Sequence, residues 1–451
     1  METPPASGGA RSPAPAAAAG DVEAPAPPPE ATRLSQTFRA LRHRNYRLYY
    51  IGQSISLSGT WMQTIAQSWL VIQLTDSKAA LGTVITLQFL PITLFVLVAG
   101  VIADRVPKRA FIVGTMSLAA VQALLLSILV WSGQVQLWHV YVLAAMLGLA
   151  NAFEQPTRQA FVVEMVGKGD LLNAIALNSG MFNGARLVGP AIGGVVIALF
   201  GVKIAFLFNA ISFLPVIASL LMMDPKRFHV EDRQQAGPIS PLAELKEGIS
   251  FALRTPATLL IVILIATLGT FGYNFIVVLP LLAKYVLNGG AEELGFLTAA
   301  LGLGALISAL LLASRQSPTR FMLFLGAFAF AALLATVAVS QWFLLSLPLL
   351  FLLGLANTAF AATANTSLQV ATPDHLRGRV MSLWMLLVAG STPIGAVMTG
   401  FLAEHLGVRE AIGINAGACM LGVTLGLLYY ATHHRQVAQT ADASVLRTVE
   451  A

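Results

Sequence analysis

Long apolar runs constrain this sequence more than any other feature. Twelve stretches of mostly apolar residues follow one another, and about 20 such residues are what an α-helix needs to cross the hydrocarbon core of a bilayer. Only 11% of the residues are charged, whereas a soluble globular chain carries roughly 25%. So few charges cannot cover a water-exposed surface. The sequence therefore predicts an all-α membrane protein whose twelve transmembrane helices face lipid.

The predicted spans fall into two bundles of six. The N-terminal bundle occupies residues 37–223, a polar linker follows at 224–256, and the C-terminal bundle occupies 257–432. Residues 1–36 are rich in Pro and Ala and lack the apolar core of a signal peptide, which predicts a disordered tail. Residues 433–451 form a second predicted tail. The twelve spans are predicted at 46–73, 80–102, 110–131, 138–158, 171–200, 202–223, 257–284, 292–314, 320–340, 343–370, 379–404 and 408–431.

The placement of Lys and Arg predicts the orientation. Of the 27 such residues, Arg186 lies inside a span and the four that share one face of the membrane are Lys78, Lys203, Lys284 and Arg409. The remaining 22 lie on the other face or in the tails. Basic loops stay in the cytoplasm, so both termini and the linker are predicted to be cytoplasmic, in the inner or plasma membrane. The net charge of +6 is therefore a topology signal, and we expect no nucleic-acid partner.

The two bundles are repeats of each other. The stretch Gly148–Asn151 recurs at Gly354–Asn357, and the pattern of Gly201–Ala210 recurs at Gly407–Ala416, each 206 residues later. Parallel repeats of this kind build transporters whose substrate site lies between two moving halves. The repeat therefore predicts a transporter of small molecules.

The loop after the second span carries a charged motif. Gly100 allows two helices to approach closely, and Asp104 supplies an anion that can meet a helix N-terminus. Arg105 and Arg109 can pair with nearby carboxylates. In this order the residues resemble the helix 2–3 signature of the major facilitator superfamily.

That resemblance implies a cytoplasmic latch. Its partner would be the start of the eleventh span, around Arg377 and Arg379. Glu154, near the cytoplasmic end of the fourth span, either extends the latch by pairing with an arginine of the loop or forms an i,i+4 pair with Arg158. The sequence leaves both interpretations open.

The fifth span contains a run of small residues around a proline. Gly189, Pro190, Gly193 and Gly194 resemble the antiporter signature of the same superfamily. Small residues allow close packing across the interface between the halves, and the proline allows a kink. Small residues also pack transmembrane helices in general. The signature favours an exporter.

Arg186 is the charge predicted nearest to the middle of the membrane. Placing an arginine there costs roughly 2.5–3.5 kcal/mol on insertion scales, so it must face a wet cavity or a partner. It either serves substrate binding or coupling, or bonds to carbonyls freed near Pro190. Neutral polar side chains in other spans are candidates for the same cavity, although each could instead form interhelical hydrogen bonds; they are Gln63, Gln67, Gln88, Tyr273, Asn274 and Asn357. This lining favours an amphipathic substrate over a strongly charged one.

Two further stretches, 44–63 and 371–380, resemble the superfamily branch that contains bacterial enterobactin exporters and drug efflux proteins. The resemblance extends over about residues 35–432. It implies export by alternating access, driven by protons. A solute importer of the same fold is the alternative, followed by a non-transporting membrane receptor.

The sequence also argues against several classes of protein. It has no phosphate-binding Gly-x-x-x-x-Gly-Lys-Ser/Thr loop for ATP, and its seven His lie in loops and tails. We therefore expect no enzyme, no cofactor and no metal site. The predicted partners are a small-molecule substrate, protons and the lipid bilayer, and we expect a monomer.

Overall fold

A computed structural model describes residues 37–229, 241–313 and 319–449. Within these ranges the side chains of residues 96, 97, 101, 104, 241–245, 313, 374, 375 and 434–449 lie outside the description. The predicted tail at 1–36 lies outside it as well. The described residues from Arg39 onward form one compact unit, and that unit is built from helices.

The first half contains six long helical segments. They are α1 (Arg44–Thr75), α2 (Lys78–Arg105), α3 (Lys108–Trp131), the stretch Leu137–Phe200, which we divide into α4 (137–166) and α5 (168–200), and α6 (Val202–Leu221). The division falls at Gly167, where a φ of 70° breaks the helix. A backbone position with positive φ favours glycine, because glycine has no Cβ that would clash with the main chain.

The second half repeats this arrangement after a short helix in the linker. Its elements are α7 (Pro241–Arg254), α8 (Pro256–Thr267), α9 (Phe275–Leu281), α10 (Ala291–Ala313), α11 (Arg320–Val339), α12 (Phe343–Val370), α13 (Asp374–Val388), α14 (Thr392–Leu406) and α15 (Val408–Val449). The linker helix α7 was not predicted from the sequence. It packs closely on α13, because a Cβ on Gly248 would lie 2.7 Å from the Arg379 carbonyl oxygen.

The predicted all-α membrane protein is confirmed. Among the described residues, ten helical stretches are long and apolar enough to cross a membrane. One of them is Leu137–Phe200, which holds two spans, and the less apolar α1 is not among the ten. The structure is therefore consistent with twelve spans. Lipid offers no hydrogen bonds to the main chain, so each span satisfies its own as a helix.

The loops lie on two faces. One face, which we call the basic face, contains the turns near residues 105–108, 167 and 371–373 and the described linker residues 224–229 and 241–256. The other, which we call the opposite face, contains the turns at 76–77, 132–136, 201, 287–290, 340–342 and 407. Ion pairs join elements on the basic face, such as Lys108 of α3 and Glu164 of α4, at 2.5 Å.

The repeat seen in the sequence corresponds to equivalent helix contacts. Gly148 of α4 packs on the main chain of α2 at Gln88, and Gly354 of α12 packs on the main chain of α10 at Leu301; a Cβ at either glycine would overlap a carbonyl oxygen. The glycines differ by 206 positions, whereas their partners differ by 213. The second repeat is therefore seven residues shorter than the first between these two contact positions, which hides the equivalence of α2 and α10 from a search at one offset.

Candidate functional site

A carboxylate of the second half caps a helix of the first half on the opposite face. Glu404 Oε2 in α14 accepts hydrogen bonds from the main-chain N–H of Lys78 (2.6 Å) and Ala79 (3.2 Å), and from the Ser77 hydroxyl (3.4 Å). The first N–H groups of a helix lack partners within the helix, and the helix dipole favours an anion there. This contact ties α14 to the start of α2.

A tyrosine forms a second tie beside it. The Tyr285 hydroxyl donates to Asp76 Oδ1 (2.6 Å) and lies 3.0 Å from the Asp76 carbonyl oxygen. The Lys78 ammonium lies over the Tyr285 ring, 4.9 Å from its centroid. We call residues 76–79, Tyr285 and Glu404 the closing cluster, because they join the two halves on the opposite face.

Paired glycines bring the halves together below this cluster. A Cβ on Gly194 of α5 would lie 2.9 Å from the Gly295 Cα of α10, and a Cβ on Gly400 of α14 would lie 3.0 Å from the Gly82 Cα of α2. Gly194 and Gly400 occupy equivalent places 206 residues apart. The main chains of the halves are thus in direct contact at two equivalent points.

The antiporter-like run in α5 packs on both halves. Gly194 faces α10, as above, whereas Gly189 and Gly193 face α1: a Cβ on Gly189 would lie 2.6 Å from the Ser58 carbonyl oxygen, and one on Gly193 would lie 3.0 Å from the Met62 side chain. Pro190 is buried between them. The run therefore holds α5 between α1 and α10.

The seventh predicted span is interrupted near its middle. A π-helical turn, Leu268–Gly272, follows α8, and Tyr273 and Asn274 leave helical geometry before α9 begins. The Asn274 side chain donates to the Thr270 carbonyl oxygen at 2.8 Å, which satisfies one carbonyl freed by the break. Such π-helical turns are frequent at functional sites.

Arg186 lies at the interface of the two halves, near this interruption. Its guanidinium is 5.7 Å from the centroid of the Trp61 ring in α1, and the Tyr273 phenol of the other half is its electrostatic neighbour. A Cβ on Gly302 of α10 would lie 3.2 Å from the Arg186 carbonyl oxygen. Phe182 meets the Trp61 ring edge to face at 5.8 Å. We call Arg186, Trp61, Phe182 and Tyr273 the cation–aromatic site.

Trp61 and Tyr273, one from each half, are equivalent in the repeat. Gly189 packs on the Ser58 carbonyl of α1, and Gly395, 206 residues later, packs on the Thr270 carbonyl. Ser58 and Thr270 differ by 212 positions, as do Trp61 and Tyr273. Arg186 therefore has equivalent residues of both halves as neighbours, at the interface where substrate sites of repeat-built transporters are found.

A cavity of about 90 Å³ lies between the halves toward the basic face. It lies between the second part of α2, the second part of α4 and the end of α13. Its lining is largely apolar with amide groups, and includes Thr93, Asn151, Gln155, Gln159, Met385 and Gly390.

Several predicted cavity residues form hydrogen bonds between helices. Gln63 donates to Gln122 Oε1 (2.9 Å) and accepts from Asn209 Nδ2 (2.6 Å), which places it in the interior of the first half. Gln67 donates to Gln88 Oε1 at 3.1 Å.

The two predicted asparagines are buried, and each leaves one oxygen without a partner. The Asn274 and Asn357 side-chain oxygens accept no hydrogen bond within the described structure. Both residues belong to the second half.

The predicted latch residues are engaged within their own halves. Arg109 donates to the Leu220 and Leu221 carbonyl oxygens at the end of α6, at 2.6 and 2.7 Å. Glu154 forms the i,i+4 ion pair with Arg158 at 2.8 Å.

The remaining latch residues lie along the basic face. Arg379 pairs with Glu247 of α7, and Arg105 and Arg377 are exposed. A Cβ on Gly100 would meet no atom within 4 Å. The Asp104 side chain lies outside the described residues. The latch between the halves stays a prediction.

Five residues of these contacts were not predicted from the sequence: Glu404, Tyr285, Gly82, Gly295 and Glu164. The local signal was weak, because each gains its role from a partner remote in the chain. Only Glu404 stood out in the sequence, because it is an acidic residue within a predicted apolar span.

Membrane-spanning helices in two repeated halves, with the Arg186 guanidinium at the interface between them, define a transporter of the major facilitator class. The chain belongs to the family described as transmembrane secretion effector, whose model matches residues 35–447. The family consists of transporters rather than enzymes, and the protein is a multi-pass membrane protein.

Similar proteins include exporters. The staphyloferrin A transporter of Staphylococcus aureus (strain NCTC 8325 / PS 47) is 26% identical, with 81% of this chain and 91% of that protein covered. The multidrug efflux pump Tap of Mycolicibacterium fortuitum is 28% identical, with the same shares covered. The enterobactin exporter EntS of Escherichia coli (strain K12 / MC4100 / BW2952) is 27% identical, covering 89% of this chain and 96% of that protein.

Solved structures share the fold. A bacterial homolog to the human lysosomal transporter Spinster, in an inward-facing and unoccupied conformation, superposes with a TM-score of 0.67 at 12% identity, covering 89% of this chain and 98% of that one. A POT family transporter in complex with a thioalcohol conjugated peptide gives a TM-score of 0.71 at 12% identity, covering 88% and 99%.

Proposed function

We propose that this protein exports small amphipathic molecules, such as drugs or siderophore-like compounds, by alternating access driven by proton antiport. The observation that carries the proposal is the asymmetry between the two faces. Glu404 and the paired glycines join the halves on the opposite face, whereas a cavity of about 90 Å³ lies between them toward the basic face. With the basic face in the cytoplasm, as the charges predict, this conformation would receive substrate from inside the cell.

The second conformation would reverse these contacts. The closing cluster would separate, and the basic face would close through the proposed latch of Asp104, Arg105 and the start of α13. Arg109 and Glu154 already have partners within the first half, so we assign them to holding the loop and α4 in place. The proposed latch then depends mainly on Asp104.

Transport direction is the first test. Cells with and without the protein would be profiled against a panel of amphipathic drugs, and the most affected compound would be followed in everted membrane vesicles. An exporter accumulates it in everted vesicles when a proton gradient is applied. Accumulation in right-side-out vesicles instead would indicate an importer, and no movement in either would favour the receptor alternative.

Proton coupling is tested in the same vesicles. Nigericin collapses the pH gradient when K⁺ is equal on both sides of the membrane, and valinomycin then holds the electrical potential at zero with and without nigericin. Addition of nigericin should stop accumulation. Accumulation that continues unchanged would contradict antiport with protons while leaving export intact.

A further inference from the structure

The donors of Arg186 have no partner within the described structure. Arg186 as a residue is intermediate in exposure, and its guanidinium lies over the Trp61 ring without a hydrogen bond or ion pair to a described residue. A purely structural arginine at this depth is expected to bond to carbonyls freed near Pro190, and it does not. An unpaired cation within a span is costly unless water or a ligand receives it. The arrangement therefore resembles half of an ion pair.

The neighbours of Arg186 limit what the other half can be. Trp61 and Phe182 offer flat apolar surfaces. The Tyr273 hydroxyl is buried and has no hydrogen-bond partner in the described structure, so it is available from the other half of the protein. A guanidinium presents paired N–H groups that match a carboxylate in a planar, two-point geometry.

We infer that the transported molecule carries one acidic group, of the carboxylate type, on an aromatic or similarly flat apolar body, and that Arg186 binds this acid. The inference rests on the proposed function and narrows its substrate class. The aromatic body lies against Trp61 and Phe182, and the Tyr273 hydroxyl donates to the acid from the second half. One cation among neutral groups fits one acidic group rather than several. A ligand held in this way contacts both halves at once, so its binding favours their approach.

Matched pairs of acids and amides test the inference by binding alone. The full-length protein in detergent would be titrated calorimetrically with 2-naphthoate and 2-naphthamide, indole-3-acetate and indole-3-acetamide, and biphenyl-4-carboxylate and its carboxamide. Within at least one pair, the acid should bind about tenfold more tightly than the amide, as expected for hydrogen bonds to a charged group. Arg186→Gln should abolish that preference, and Arg186→Lys should retain part of it, because lysine keeps the charge but loses the planar donor pair.

Lys203→Gln is the matched control. Lys203 also lies over a tryptophan of its own half, 5.1 Å from the Trp131 centroid, but on the opposite face and away from the interface. The Lys203→Gln variant should keep the preference for the acid over the amide. If Arg186→Gln does not fold, Tyr273→Phe keeps the ring and removes one donor, and should weaken acid binding several-fold.

Three results of the binding measurements would overturn the inference. The first is that acid and amide bind equally in every pair, or that neither binds. The second is a preference for the acid that survives Arg186→Gln. The third is acid binding that is unchanged in both Tyr273→Phe and Arg186→Lys. Acid binding through Arg186 without export in vesicles would contradict the proposed function instead. Export of neutral compounds with no preference for acids would leave the proposed function standing and remove this site.

Discussion

The Glu404 carboxylate accepts a hydrogen bond from the main-chain N–H of Lys78 at 2.6 Å, across 326 residues of sequence. One residue belongs to each half, so the bond exists only while the halves are closed on this face. A carboxylate at a helix N-terminus is stabilised by unpaired N–H groups and by the helix dipole. The contact therefore contributes directly to the stability of one conformation over the other.

Removing this carboxylate should open the opposite face. Loss of a helix-capping side chain costs roughly 0.5–2 kcal/mol, so Glu404→Ala should shift the equilibrium about 2- to 30-fold toward opening. Thr86→Cys in a Cys419→Ser background provides the reporter, because Thr86 lies below the closing cluster and contacts the Pro393 carbonyl oxygen at 3.0 Å. Labelling by a membrane-impermeant maleimide should accelerate several-fold in Glu404→Ala.

Glu410→Ala is the control for this experiment. Glu410 is an exposed acid on the same face and lies beside Gly407 of its own half. It should leave the labelling rate unchanged. Equal rates in Glu404→Ala and the parent would show that the contact does not hold the halves together.

Gly194 should not tolerate a side chain. A Cβ there would lie 2.8 Å from the Ala291 carbonyl oxygen of the other half, and overpacking of this kind typically costs about 1–3 kcal/mol. Gly194→Ala should therefore reduce transport at least fivefold in vesicles while the protein still inserts. In the same helix, a Cβ on Gly184 would meet no atom within 4 Å, so Gly184→Ala should transport normally. Equal transport by the two variants would mean that this glycine contact is dispensable.

Asp104 tests the proposed latch on the basic face. Asp104→Asn keeps the shape of the side chain and removes its charge, so it should weaken closure of this face and lower transport, while melting temperature and membrane insertion stay near normal. Vesicle transport and detergent melting would be measured on the same preparation. Full activity in Asp104→Asn vesicles would rule the latch out.

The orientation is tested by reporter fusions. The bias of 22 basic residues against four predicts that positions 240 and 440 are cytoplasmic. A phosphatase that is active only outside the cytoplasm should stay inactive at both positions, and should become active when fused at position 134, on the opposite face. An active phosphatase at 240 or 440 would break the six-plus-six arrangement.

The sequence by itself determined the spanning segments, the two halves and the presence of one arginine, Arg186, inside a span. Each follows from a local property: a run of about 20 apolar residues must cross the bilayer wherever it stands in the chain, and a charge within such a run is visible at once. The repeat at 206 residues was equally local, because Gly148 and Gly354, and Gly201 and Gly407, occur within recognisable short patterns.

Only the tertiary structure decided which residues meet. Spans that are apolar on every side carry little information about the face that each helix turns to its neighbours, since lipid and protein interior are similarly apolar. The placement of Gln63 with Gln122 and Asn209 therefore had to come from packing, and so did the contact of Gly82 with Gly400. The same holds for Glu404, whose significance depends on free N–H groups at the start of a helix in the other half.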